Sequence, residues 1–248
     1  MQTNDKTYID FGFTGLAADQ QVVVLDIETT GLDPENDEII EVKLLKCRLD
    51  APIDRLFDDN ETFDQRYYAA GPMSPGAFAV HHIHLSTLED APALAAAAHA
   101  IRDFIGNAPV ISHHVGFAQA FLSNAFIKAG VEPLSANRGY CTLYRLREHT
   151  GLMDGDWFRR SLEAAADYLG VDTCGYSGDQ RWAPLILKLR MARLWQQWDD
   201  TATALPAPKK MKKKRQIYQR DDTHRPAIAW QTALFALGLI VALFLLFK

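Results

Sequence analysis

Residues 21–42 read QVVVLDIETTGLDPENDEIIEV, and this stretch decides the fold. QVVVLDI (21–27) is a β-branched apolar run with the character of a buried strand. Side chains alternate faces along a strand, so Asp26 and Glu28 point the same way, about 7 Å apart along the chain. Two parallel carboxylates at a strand end suit a divalent cation, because hard cations prefer carboxylate oxygen. A lone Asp-x-Glu is common, and two solvated acids would give the same pair. The full string DIETTGL followed by DPENDEIIEV is far more specific.

Working outward, EIIEVKLLKCRL (38–49) alternates well enough for a second strand, and residues 55–68 supply a third. Ser86 and Thr87 are placed to cap a helix running through the alanine-rich stretch to Ile105. PVIS (109–112) reads as a short buried strand. Phe117 to Ala129 reads as a helix closed by Gly130, Ser161 starts another that Gly170 ends, and Pro184 to Trp198 forms the last. Strands first, then alternating helices and strands, predict one α/β or α+β domain over residues 17–200, after an extension at 1–16.

The chain has 248 residues, 48% apolar and 23% charged, which excludes global disorder and collagen-like or coiled-coil chains. Cys47, Cys141 and Cys174 are too few and too scattered for a disulfide framework or a zinc site. They read as buried or idle thiols in a reducing compartment. The net charge of −5 hides a division. Residues 1–208 hold 17 basic and 29 acidic residues, whereas 209–248 hold 9 basic and 2 acidic. The acidic body is a poor collector of nucleic acid, whose affinity comes largely from Lys and Arg.

The N-terminus has neither a basic start nor a continuous apolar run, so it does not read as a signal peptide. Residues 227–247, AIAWQTALFALGLIVALFLLF, carry no charge over 21 positions. As a helix they extend about 31 Å, enough to cross a hydrocarbon core. A single-pass, tail-anchored membrane protein is expected. The linker 201–226 contains KKMKKKR (Lys209 to Arg215), which places the body in the cytoplasm by the positive-inside rule and suits contact with anionic lipid headgroups. A nucleic-acid arm is the rival reading of that run.

The DIETTGL motif with IIEV (39–42) resembles the DEDDh 3′–5′ exonucleases, the family of the proofreading epsilon subunit of replicative DNA polymerases. The resemblance covers about residues 20–198. VHHIHLSTLEDAP (80–92) looks like the family's V-H-G-I-T stretch. APVISHHVGFAQAFL (108–122) looks like the strand and helix of the second motif, and CTL (141–143) with SLEAAADYLGV (161–171) leads into the third. The resemblance implies a ribonuclease-H-like mixed sheet of five strands with helices on both faces, followed here by the C-terminal transmembrane helix. It also implies a two-metal phosphodiesterase using Mg²⁺ or Mn²⁺, four acidic ligands and a histidine general base.

Only Asp26 and Glu28 carry over. The second motif, H-N-x-x-F-D in the family, reads His113, His114, Val115, Gly116, Phe117, Ala118, so Ala118 stands where an aspartate belongs. No acid occurs between Ser112 and Lys128. The third, H-x-A-x-x-D, aligns on Ala183 and places Arg181 at the general base and Ile186 at the last aspartate. Asp179 is a candidate substitute, or else a turn residue in YSGDQ. His114 replaces an asparagine but is a poor Mg²⁺ ligand. His81, His82 and His84 lack a spaced acidic or cysteine partner for a metal site. Lys43 and Arg181 are candidates to pair with Asp26 or Glu28 in place of a metal, keeping both ionised and repelling a divalent cation, or else to face solvent.

The expectation is therefore a membrane-anchored exonuclease-like module with catalysis lost or strongly impaired, holding a nucleic-acid end or nucleotide. An active Mg²⁺-dependent exonuclease with rearranged ligands is the alternative, and a protein-binding scaffold of a membrane complex is the third reading.

Overall fold

The computed structural model describes residues 9–10, 13, 15–134, 137–150, 161–172 and 179–201. Cys174, the basic run 209–215 and the apolar run 227–247 lie outside the described residues, and no helix among those described is long and apolar enough to cross a membrane.

The β-branched run forms β2 (Gln21–Thr29), which pairs antiparallel with β3 (Ile39–Arg48); β3 in turn pairs antiparallel with β4 (Glu61–Arg66). On its other edge β2 runs parallel to β5 (Val110–Ser112), and β5 runs parallel to β6 (Gly139–Cys141). These five strands make the mixed sheet that the resemblance implies. A two-residue strand, β1 (Ile9–Asp10), adds a sixth beside β6, giving the order β1-β6-β5-β2-β3-β4.

Helices cover both faces because β2 and β3 are apolar on both. Val22, Val24, Leu45 and Cys47 pack against α5 (Leu162–Leu169) and α6 (Ala183–Thr201) through Ala165, Ala166, Leu185 and Leu189. Val23, Leu25, Val42 and Leu44 pack on the opposite side against α2 (Leu94–Ile105) and α3 (Val115–Lys128). The cap residues of α5 are those expected. The Ser161 Oγ accepts from the Ala164 N–H, and Gly170 closes the helix at φ 70°, a left-handed conformation that costs glycine little.

Three expectations are corrected. The helix to Ile105 does not start at Ser86 and Thr87. Leu85–Thr87 is a 3₁₀ turn, and α2 begins at Leu94, after Pro92, whose ring disfavours helix in the residue before it. The third strand is shorter than 55–68, because residues 53–55 form a 3₁₀ turn. The segment 1–16 is not merely an extension: Phe13 and Leu16 are buried in the α5/α6 core, and the Phe13 ring lies 5.1 Å from that of Tyr140. The Phe13 N–H also donates to Asp199 Oδ2 at 2.6 Å, tying this segment to α6. Phe13→Ala should lower the unfolding free energy by about 3–5 kcal/mol in guanidinium titration. A loss below about 1 kcal/mol would place residues before 17 outside the folding unit.

Candidate active site

Asp26 and Glu28 do share a face, the one that Val22 and Val24 present to α6. The antiparallel register extends their two positions across three strands. Asp26 lies opposite Lys43, and Lys43 opposite Asp64; Glu28 lies opposite Glu41, and Glu41 opposite Arg66. Directly opposed side chains share a face, so six charged groups form two rows at this end of the sheet. The Glu41 carboxylate accepts from Lys43 Nζ and, at 2.8 Å, from Arg66 Nε. Arg181 Nη1 reaches Asp64 Oδ2 at 3.3 Å.

Asp26 takes its cation from another element. Lys188 of α6, only 3% exposed, donates from Nζ to Asp26 Oδ1 and, at 3.0 Å, to the carbonyl of Leu25. By sequence, Lys43 and Arg181 are the candidates for this cation. Lys43 bonds Glu41 instead, and Arg181 bonds Asp64 and Asp179. Lys188 had a signal of its own: it interrupts PLILKLRMA at i+3 from Leu185 and i−4 from Ala192, on the buried stripe. A lysine there needs a carboxylate.

The rest of the motif is turn architecture. Thr30 Oγ1 accepts from the Glu38 N–H at 2.9 Å, the Asp33 N–H donates to Asp37 Oδ2 at 2.8 Å, and Thr29 Oγ1 donates to the Gly31 carbonyl at 2.6 Å. A Cβ on Gly31 would overlap the Asp37 carboxylate and push it off the Asp33 N–H and the Thr30 hydroxyl that donate to it. The register slips after Glu28, leaving Ile40 as the extra residue of a bulge. Ile40 packs with Ile83 and Leu88, which docks the V-H-G-I-T-like segment beside the site.

Ala118 is buried in the α2/α3 core and Ile186 in the α5/α6 core; neither offers a ligating oxygen. Asp179 accepts from the Arg181 N–H at 3.0 Å and from Arg181 Nε at 2.7 Å, the turn role, and these bonds hold its carboxyl below the usual range. His113 Nδ1 lies 2.9 Å from Thr142 Oγ1, and His114 stacks on Tyr144, both partners lying on α4 (Thr142–Thr150). His81 Nδ1 accepts from the Ile83 N–H at 3.0 Å, so Nε2 carries the ring proton and donates to the Thr29 carbonyl at 3.2 Å. Its pKa is lowered by burial. His82 is the left-handed C-cap of α1 (Pro75–His81), at φ 55°, and His84 caps the 3₁₀ turn. These five histidines thus take part in caps, hydrogen bonds or ring stacking within the fold.

The electrostatics depart from the expectation that a nearby cation keeps both carboxylates ionised. Burial pushes Glu28 up to about 8, Asp26 adds to the rise, and Lys188 only partly offsets it. Burial works against ionised Glu41 too, but the hydrogen bonds from Lys43 and Arg66 outweigh it and hold that carboxyl below its ordinary value. Apart from Glu28, the carboxyl groups of Asp26, Glu41, Asp64 and Asp179 are paired with Lys43, Arg66, Arg181 and Lys188. The family's two divalent ions do not fit this arrangement. Asp26 is bonded to an ammonium, Ala118 and Ile186 supply no oxygen, and no group of three metal-ligating side chains occurs among the described residues.

Because the folded-state pKa of Glu28 is raised, folding is opposed progressively as pH climbs from about 4.5 to about 8, where only the unfolded chain ionises freely. Glu28→Gln should therefore match wild type in stability at pH 4 and exceed it at pH 8 by on the order of 1–4 kcal/mol. Equal stability at pH 8 would show that Glu28 ionises without cost.

The comparisons agree with the fold. An exonuclease family model, RNase_T, matches residues 23–176. PolC-type DNA polymerase III of Bacillus cereus is 30% identical over 117 residues, 47% of this chain and 8% of that protein. The corresponding polymerase of Staphylococcus haemolyticus is 28% identical over 153 residues, 60% of this chain and 10% of that protein. The chain thus spans a tenth or less of these relatives. Product-bound exonuclease I superposes with a TM-score of 0.58 at 16% identity, over 72% of this chain and 43% of that one. E. coli exonuclease I in complex with a dT13 oligonucleotide gives 0.56 at 16%, over 74% and 42%. From residue 23 to 176 the match is to one family throughout, and this chain belongs to the RNase_T exonuclease family, with a domain of the DEDDh 3′–5′ exonuclease type.

Proposed function

We propose that this protein is a membrane-anchored exonuclease-fold module that holds a nucleic-acid 3′ end or nucleotide at the cytoplasmic face without hydrolysing it. The observation that carries this reading is the bonding of Asp26 to a protein cation, at the strand end where the family binds metal. Its partners in catalysis are replaced: Ala118 and Ile186 supply no carboxylate, and Arg181 supplies no imidazole base. Loss of the general base alone is worth roughly 10² to 10⁴ in rate. Nucleic-acid binding is supported by the oligonucleotide held by the exonuclease I neighbour, and exposed Leu32 at the motif turn offers an apolar surface to a terminal base. The charge-free run 227–247 supports the anchor, and the six basic residues within 209–215 support the cytoplasmic orientation and contact with anionic lipid.

The test incubates the full-length chain, in detergent, with labelled single-stranded DNA and RNA in Mg²⁺ or Mn²⁺, beside Asp26→Asn. Wild type and variant should release label at the same background rate while wild type retards the strand in a native gel at low salt. Cleavage that Asp26→Asn abolishes would restore the active-exonuclease reading. Absence of any retardation would favour the scaffold.

A further inference from the structure

Beside the acids missing at Ala118 and Ile186, one side chain sets the site against the family's metal requirement. We infer that the Lys188 ammonium is a built-in cation that occupies the divalent-ion position of Asp26 and keeps metal off that carboxylate. The inference deepens the proposed loss of catalysis and rests on it.

Three observations converge on Lys188. It is buried on a helix whose neighbours Leu185, Ile186, Leu187 and Leu189 are all apolar and buried, so nothing but the sheet end can accept its protons. Its Nζ is held from two directions, by the Asp26 carboxylate and the Leu25 carbonyl, which fixes the charge at the end of β2 rather than leaving it to swing into solvent. It lies two residues beyond Ile186, on the same helix that in the family presents the last acidic ligand. A hard divalent ion needs several oxygens around it, and an ammonium already bonded to one of them both blocks and repels it. The neighbouring cations do not share this role: Lys43 bonds Glu41, Arg66 bonds Glu41, and Arg181 bonds Asp64 and Asp179.

The test is thermal unfolding of the full-length chain in detergent with increasing Mn²⁺, for wild type, Lys188→Glu, Lys188→Met and, as a control for charge removal elsewhere, Lys128→Met. Wild type and Lys128→Met should show no saturable rise in Tm. Lys188→Glu, with a third carboxylate beside Asp26 and Glu28, should gain Mn²⁺ affinity by at least about tenfold, equivalent to about 1.4 kcal/mol. If that variant folds only when Mn²⁺ is present, the metal dependence itself supports the inference. Lys188→Met, which removes the charge and keeps the length, should show a smaller rise. Saturable Mn²⁺ binding by wild type that Asp26→Asn abolishes would overturn the inference, as would two Lys188 variants that ignore Mn²⁺. In the last case an inactive wild type would still stand as proposed, so the two failures are separable.

Discussion

The ammonium of Lys188 and the carboxylate of Asp26 need each other, and much of the site is arranged around that need. A buried lysine without a partner would be strongly destabilising, and so would a half-buried aspartate beside Glu28 and Glu41. Paired, they join the middle of α6 to the end of β2, with a second bond to the Leu25 carbonyl fixing the ammonium against the backbone. The same helix buries Trp195 below and is held to the N-terminal segment through Asp199. The contact that occupies the Asp26 carboxylate is therefore also one that locks the last helix onto the sheet.

Around this pair the sheet neutralises itself. Antiparallel register places acid and base opposite one another at Asp26, Lys43 and Asp64, and brings Arg66 onto Glu41, where Glu28 supplies only another acid. Left short of cations, such a row of carboxylates would hold uncompensated charge at this end of the sheet. Here lysine and arginine compensate it. The turn that follows gives DIETTGL a structural role of its own. Its threonines, Gly31 and the Asp33–Asp37 pair carry hydrogen bonds that shape the chain between β2 and β3, independently of any reaction.

Much of this was legible in the sequence because it depends on local pattern. The β-branched run gave β2, the spacing of Asp26 and Glu28 gave a shared face, and Ser161 with Gly170 bracketed α5. What was not legible depends on distant partners. Residues 139–141 form a strand only because β1 and β5 flank them, and three residues hold no readable period. That Phe13 belongs to the core follows from Tyr140 and Asp199, far along the chain. The idea of a protein cation in the metal position was available from the acids alone, but choosing among Lys43, Arg181 and Lys188 required the tertiary fold. Lys43 was the cross-strand neighbour of Asp26, and its flexible stem turned along its own strand to Glu41 instead.

The account stands on Lys188 holding Asp26 in the presence of excess divalent cation. A crystal structure of the protein grown in millimolar Mn²⁺, with anomalous data collected near the manganese edge, addresses it directly. The account predicts Lys188 Nζ bonded to Asp26 and the Leu25 carbonyl, with no anomalous peak between Asp26 and Glu28. A manganese peak on these carboxylates, with the Lys188 side chain displaced from Asp26, would contradict it.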